Sequence, residues 1–149
     1  GGNADLQGQI INKIFQDSME ECKNIFCYAS LGIKRYLSLI KNAEFVIGNS
    51  SSGIVEVPCF GIPTINIGDR QKGRLRASSI IDCKPEAQAI KESIKKAMSK
   101  EFRKIAKETK NPYGNGNTSE NIVKTMKTFL QSGKIDLKKK FYDIEGEFV

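Results

Sequence analysis

Short apolar segments that run straight into small polar turns constrain this chain more than any other feature. Residues 44–47 (EFVI) end at Gly48, residues 63–67 (PTINI) end at Gly68, and residues 79–83 (SIIDC) form a third such run. An earlier stretch, 24–29 (NIFCYA), reads the same way and exits into Ser30-Leu31-Gly32. These segments are short and largely apolar, which suits burial on both faces. The intervening stretches carry helical spacing instead: Ile10, Ile11, Ile14 and Phe15, then Tyr36, Leu37, Ile40 and Ala43. Ile90, Ile94, Ala97, Met98, Ile105 and Ala106 form a later stripe opposite a set of lysines, and Ile122, Val123, Met126, Phe129 and Leu130 form another. Alternating strands and helices of this kind predict an α/β fold, a Rossmann-like parallel sheet with helices on both faces. The four strands are expected to point their carboxyl ends at one edge, where such sheets bind ligands.

Local punctuation refines that expectation. Residues 53–60 can make a short helix that Pro58 bends or shortens and Gly61 caps. Residues 111–116 (NPYGNG) form a double turn, and Asn117 with Glu120 has the pattern of an N-cap and its return partner. Gly133 is expected to end the last helix.

Composition excludes several classes. The 149 residues are 39% hydrophobic and 28% charged, an ordinary globular balance that suits one domain. Cys22, Cys27, Cys59 and Cys83 make no CxxC pair, and there are 0 histidines, so neither a metal site nor a disulfide framework is expected. Four reduced thiols suit a cytoplasmic protein, and no apolar run approaches the roughly 20 residues of a membrane span. The net charge of +7 raises the question of nucleic acid. Its lysines, however, are interleaved with Glu92, Glu101 and Glu108 and lack interspersed aromatics, so a solvated helix face is expected over an RNA-binding module.

The stretch Gly48-Asn49-Ser50-Ser51-Ser52-Gly53 supports two readings. A helix N-terminus offers unpaired N–H groups and a partial positive charge, serines add hydroxyl donors, and glycine lets backbone approach a ligand. On that reading Ser50, Ser51 and Gly53 hold a pyrophosphate, Glu56 accepts from ribose hydroxyls, and Arg70 adds charge and forked donors. The plainer alternative makes Ser51 a helix cap, Glu56 a solvated carboxylate and Arg70 a surface residue. No Walker A or GxGxxG pattern is present to decide between them.

Residues 45–76, FVIGNSSSGIVEVPCFGIPTINIGDRQKGRLR, resemble the hydrolysing UDP-N-acetylglucosamine 2-epimerases of sialic-acid-type sugar biosynthesis. The family patterns GNSS-x-G-x-x-E-V and FG-x-P-x-IN-x-G-x-RQ-x-GR both occur, and residues 111–117 (NPYGNGN) are similar to the family's NPYGDG loop. Asn3-Ala4-Asp5 with Gly8 is a weaker match. The resemblance implies the C-terminal half of a two-domain, glycosyltransferase-B-like fold, with residues 1–149 as a UDP-binding domain, truncated on its N-terminal side, and 134–149 as its tail. It implies UDP or a UDP-N-acetylhexosamine as ligand, phosphates on Ser50 and Ser51, ribose on Glu56, and Arg70 in the phosphate region. Tyr36 falls where relatives carry an aromatic near the uracil, although its spacing equally suits a core-facing position. Asn3 and Asp5 are weaker candidates. The resemblance further implies a missing N-terminal domain, upstream strands of the sheet, a homo-oligomeric parent and no cofactor. The catalytic acid and base are expected mostly outside this chain, which lacks the family's histidine, so the chain alone is expected to be inactive. A UDP-sugar-dependent glycosyltransferase domain is the rival within the same fold, and RQ-x-GR with the NPYG loop favours the epimerase.

Overall fold

The computed structural model describes residues 6–114, 116–133 and 138. The chain divides into two compact units, Gly1–Lys110 and Asn111–Val149. In the first, the order is α1 (Leu6–Glu21), α2 (Gly32–Lys41), β1 (Val46–Gly48), α3 (Ser51–Val55), a 3-10 turn (Val57–Phe60), β2 (Thr64–Ile67), β3 (Ile80–Cys83), α4 (Ala87–Met98) and α5 (Lys100–Lys107). In the second, α6 spans Thr118–Gln131.

The three strands form one parallel sheet in the order β1-β2-β3. Ile47 pairs with Ile65 across the first ladder, and Ile65 with Ile81 and Ile67 with Cys83 across the second. The period of two along β2 then sorts its side chains. Ile65 and Ile67 face α4 and α5, where Ile65, Ile81, Cys83, Ala97 and Phe102 form a buried cluster edged by Ile90 and Ile94. Thr64 and Asn66 face the other way, toward α3, whose Ile54 is completely buried, as is Val57 in the turn behind it. The sheet is therefore covered on both faces, and its apolar strands are explained by that double burial.

The approach of α3 to β2 is close. The Thr64 hydroxyl donates to the Gly53 carbonyl at 3.0 Å, and a Cβ on Gly53 would lie 3.0 Å from the Thr64 Cγ2 methyl. Glycine is needed here for proximity, not for its φ. Proline then shapes the exit: α3 stops at Val55, Pro58 sits inside the 3-10 turn, and Gly61 ends that turn at φ 64°.

Three expectations need correction. Residues 24–29 form no strand, and Phe26 and Tyr28 are exposed. A strand gains stability from a hydrogen-bonded neighbour, and among the described residues β1 pairs with β2 alone, leaving 24–29 without a ladder. The stripe over 90–106 is split in two at Ser99, which turns extended (ψ 147°) and accepts from the Phe102 N–H at 3.1 Å, capping α5. Met98 and Ile105, on either side of that break, are exposed. Asn117 precedes α6 but makes no side-chain cap hydrogen bond.

The described cysteines are free thiols, with Cys83 buried and the other three exposed. No described helix is long and apolar enough to cross a membrane. No group of three or more metal-ligating side chains occurs among the described residues.

The Gly53–Thr64 contact generates a double-mutant test. Gly53→Ala is expected to lower stability by about 1–3 kcal/mol, because the threonine rotamer is fixed by its hydrogen bond and cannot yield. Adding Thr64→Ser removes the methyl and keeps the hydroxyl, so the pair is expected to be less destabilised than the sum of the single changes. Strict additivity in denaturant titrations would contradict the contact.

Candidate functional site

The carboxyl ends of β1, β2 and β3 meet at one edge. The loop after β1 carries Asn49 and Ser50, the loop after β2 carries Asp69 to Arg76, and Asp82 lies near the end of β3. Beside them is an open groove of about 470 Å³ lined by Gly68, Asp69, Asp82, Cys83, Lys84 and Pro85.

Buried polar bonds hold these loops together. Gln71, only 4% exposed, donates its amide to the Asn49 carbonyl at 2.8 Å and so ties the second loop to the first. Its Oε1 is buried without a partner among the described residues. Arg76 donates to the Gln71 carbonyl at 2.8 Å, to the Arg74 carbonyl at 2.7 Å and to the Asp82 carboxylate at 3.2 Å. Buried Asn66 donates to the same carboxylate at 2.6 Å. One guanidinium thus closes the loop on itself and fixes it to the sheet, a task its planar fork suits.

Ser50 is the N-cap of α3. Its hydroxyl accepts from the Ser52 N–H at 3.4 Å, and its carbonyl accepts from the Gly53 N–H at 3.2 Å. The cap is therefore Ser50, not Ser51 as the plain capping alternative had it. Two of the loop's N–H groups are spent locally. Among the described residues, the Ser51 N–H and hydroxyl make no hydrogen bond, and the Ser50 hydroxyl keeps its proton for another acceptor. Gly53 is buried against β2, so its part is to let α3 sit where it does.

Arg70 is exposed at the end of β2, with no ion pair among the described residues. Tyr36 and Glu56 are both half-buried and are brought together by Ser52. The Tyr36 hydroxyl lies 2.6 Å from Ser52 Oγ, and Ser52 Oγ donates to Glu56 Oε2 at 2.5 Å. Sequence reasoning put Tyr36 and Glu56 on the site separately and missed the serine that joins them; the i, i+4 spacing of Ser52 and Glu56 was the available signal. It also missed Gln71 and Arg76, although Gln71 stands inside the RQ-x-GR pattern. Asn3 and Asp5 lie outside the described residues.

The lysine face gives a different picture. Lys91, Lys95 and Lys104 are exposed, but so are Glu92, Glu101 and Glu108, and Lys96 lies over the Phe102 ring at 5.4 Å. Mixed charge along α4 and α5 is that of a solvated surface.

Residues 3–127 match the family model described as UDP-N-acetylglucosamine 2-epimerase. The chain is 41% identical over 145 residues to polysialic acid biosynthesis protein P7 of Escherichia coli, covering 97% of this chain and 36% of that one. It is 48% identical over 102 residues to the GDP/UDP-N,N'-diacetylbacillosamine 2-epimerase (hydrolyzing) of Campylobacter jejuni, covering 68% of this chain and 26% of the relative. A crystal structure of the UDP-GlcNAc 2-epimerase of Neisseria meningitidis bound to UDP-GlcNAc superposes with a TM-score of 0.67 at 24% identity, over 79% of this chain and 33% of that one. The chain thus spans about a quarter to a third of the length of these relatives.

Arg76 is expected to be the residue that keeps the 69–76 loop closed. Arg76→Lys loses the planar fork whose three nitrogens reach three separate acceptors, so amide hydrogen exchange across residues 70–76 is expected to rise about tenfold or more while exchange in β2 changes little. Unchanged exchange in the loop would show that Gln71 alone suffices.

Proposed function

The chain belongs to the UDP-N-acetylglucosamine 2-epimerase family, and from that premise we propose that it is the UDP-binding half of a hydrolysing epimerase acting on a UDP-linked amino sugar in the cytoplasm. In that reaction the C2 proton leaves, the bond from C1 to the UDP oxygen breaks, and water then adds so that C2 regains hydrogen on the opposite face. UDP-N-acetylglucosamine and water give N-acetylmannosamine and UDP. One relative is named for UDP-GlcNAc and another for a diacetylated sugar. The portion proposed here holds the nucleotide that such substrates share.

The observation that carries the reading is that Ser50 and Ser51, which keep donors unused among the described residues, and Arg70, which makes no ion pair among them, lie on two loops that Gln71 ties together at the carboxyl edge of a parallel sheet. The hydroxyls of Ser50 and Ser51, the Ser51 N–H and the Arg70 guanidinium converge on a pyrophosphate. Charge grows on that pyrophosphate as the C1–O bond breaks, so donors fixed in advance favour departure of UDP. Glu56 accepts from the ribose, and Tyr36 borders the same pocket. Gly53 contributes by bringing α3 onto β2.

Ser51→Ala is expected to weaken UDP binding about tenfold and to leave uridine nearly unchanged, since only UDP carries phosphates. Arg70→Ala is expected to do the same, with an effect that shrinks as salt rises because the side chain is exposed. Calorimetry on the whole protein measures both. Equal loss of UDP and uridine, or no loss of either, would reduce the three serines to a helix cap. Proton transfer is assigned to groups outside this chain, which has 0 histidines. Purified alone, it is therefore expected to release neither UDP nor N-acetylmannosamine from UDP-N-acetylglucosamine, and sustained turnover after a contamination control would overturn that assignment.

A further inference from the structure

We propose that Ser52, backed by Tyr36, is a positioning residue that aims the Glu56 carboxylate at the sugar hydroxyls of the nucleotide and thereby sets selectivity for ribose; the inference rests on the ribose reading of Glu56 given above. Ser52 Oγ lies 2.5 Å from Glu56 Oε2 and 2.6 Å from the Tyr36 hydroxyl. A serine hydroxyl has one proton, and a carboxylate oxygen can only accept. The Ser52 proton therefore goes to Glu56, and Tyr36 must be the donor to Ser52. The direction of the whole chain is fixed: Tyr36 to Ser52 to Glu56.

That direction has a consequence for the carboxylate. Oε2 is held by Ser52, whereas Oε1 makes no hydrogen bond among the described residues. A half-buried glutamate without such a tether would sample several rotamers and lose that freedom on binding. Here α2 supplies the tyrosine, the first turn of α3 supplies the serine, and the carboxylate follows one turn later at the C-cap of α3. Two hydrogen bonds running in series are also mutually strengthening in a partly desolvated site. The tether leaves one oxygen pre-aimed for a donor, which a ribose diol provides and a dideoxyribose does not.

The test compares UDP with 2′,3′-dideoxy-UDP by calorimetry on the whole protein. The native protein is expected to prefer UDP by about tenfold or more, and Glu56→Gln to abolish most of that preference. Ser52→Ala is expected to cut the preference about fivefold by weakening UDP while dideoxy-UDP binds as before, and Ser52→Thr, which keeps the hydroxyl, to retain it. Tyr36→Phe keeps the ring and is expected to reduce the preference in the same direction, so it carries the test should Ser52→Ala fail to fold. Loss of preference in Glu56→Gln with full preference in Ser52→Ala and Tyr36→Phe would overturn the positioning role and leave the ribose reading standing. Full preference in Glu56→Gln would overturn the ribose reading, and this inference with it.

Discussion

The contact of the α3 backbone with β2 at Gly53 and Thr64 is the constraint on which the rest of the site depends. A helix cannot ordinarily lie that close to a strand, because a Cβ would strike the methyl of the facing threonine. With glycine in place, Thr64 turns its hydroxyl into a tie for the Gly53 carbonyl, and the helix start comes to rest at the sheet edge. Ser50, Ser51 and Ser52 are positioned by that docking. Pro58 and Gly61 then turn the chain so that β2 can follow β1 in parallel register.

The second determinant is a division of labour among polar groups. Gln71, Arg76 and Asn66 donate to the loops and to Asp82, which ties the edge together. Ser51 and Arg70 spend none among the described residues. Under the proposed function, edge donors left free on loops tied in this way are arranged for a ligand before it arrives, and preorganisation of this kind lowers the cost of binding.

Much of this was legible in the sequence. Short apolar runs that exit into small polar turns disclosed the parallel sheet, and Pro58 and Gly61 disclosed the short broken helix, because these signals act within a few residues. Residues 24–29 misled because an apolar run reports the wish for burial, and a strand forms only where a ladder partner is on offer. Ser99 was readable as a cap but lay inside a stripe that stayed in phase across it. The packing role of Gly53 was not legible: serine-glycine loops suggest backbone left free for phosphate, and only the structure shows its N–H on the Ser50 carbonyl and its missing Cβ against Thr64. The Tyr36–Ser52–Glu56 chain joins two helices, and only its Ser52–Glu56 half has a sequence spacing that reveals it.

The central claim is that the edge built by α3 and the 69–76 loop holds UDP. It is tested most directly by a crystal structure of the whole protein with UDP bound. The account predicts pyrophosphate oxygens within about 3 Å of the Ser50 and Ser51 hydroxyls and the Arg70 guanidinium, with a ribose hydroxyl on Glu56. UDP seated elsewhere, against the groove of Asp82 to Pro85 or along the lysines of α4 and α5, would contradict it.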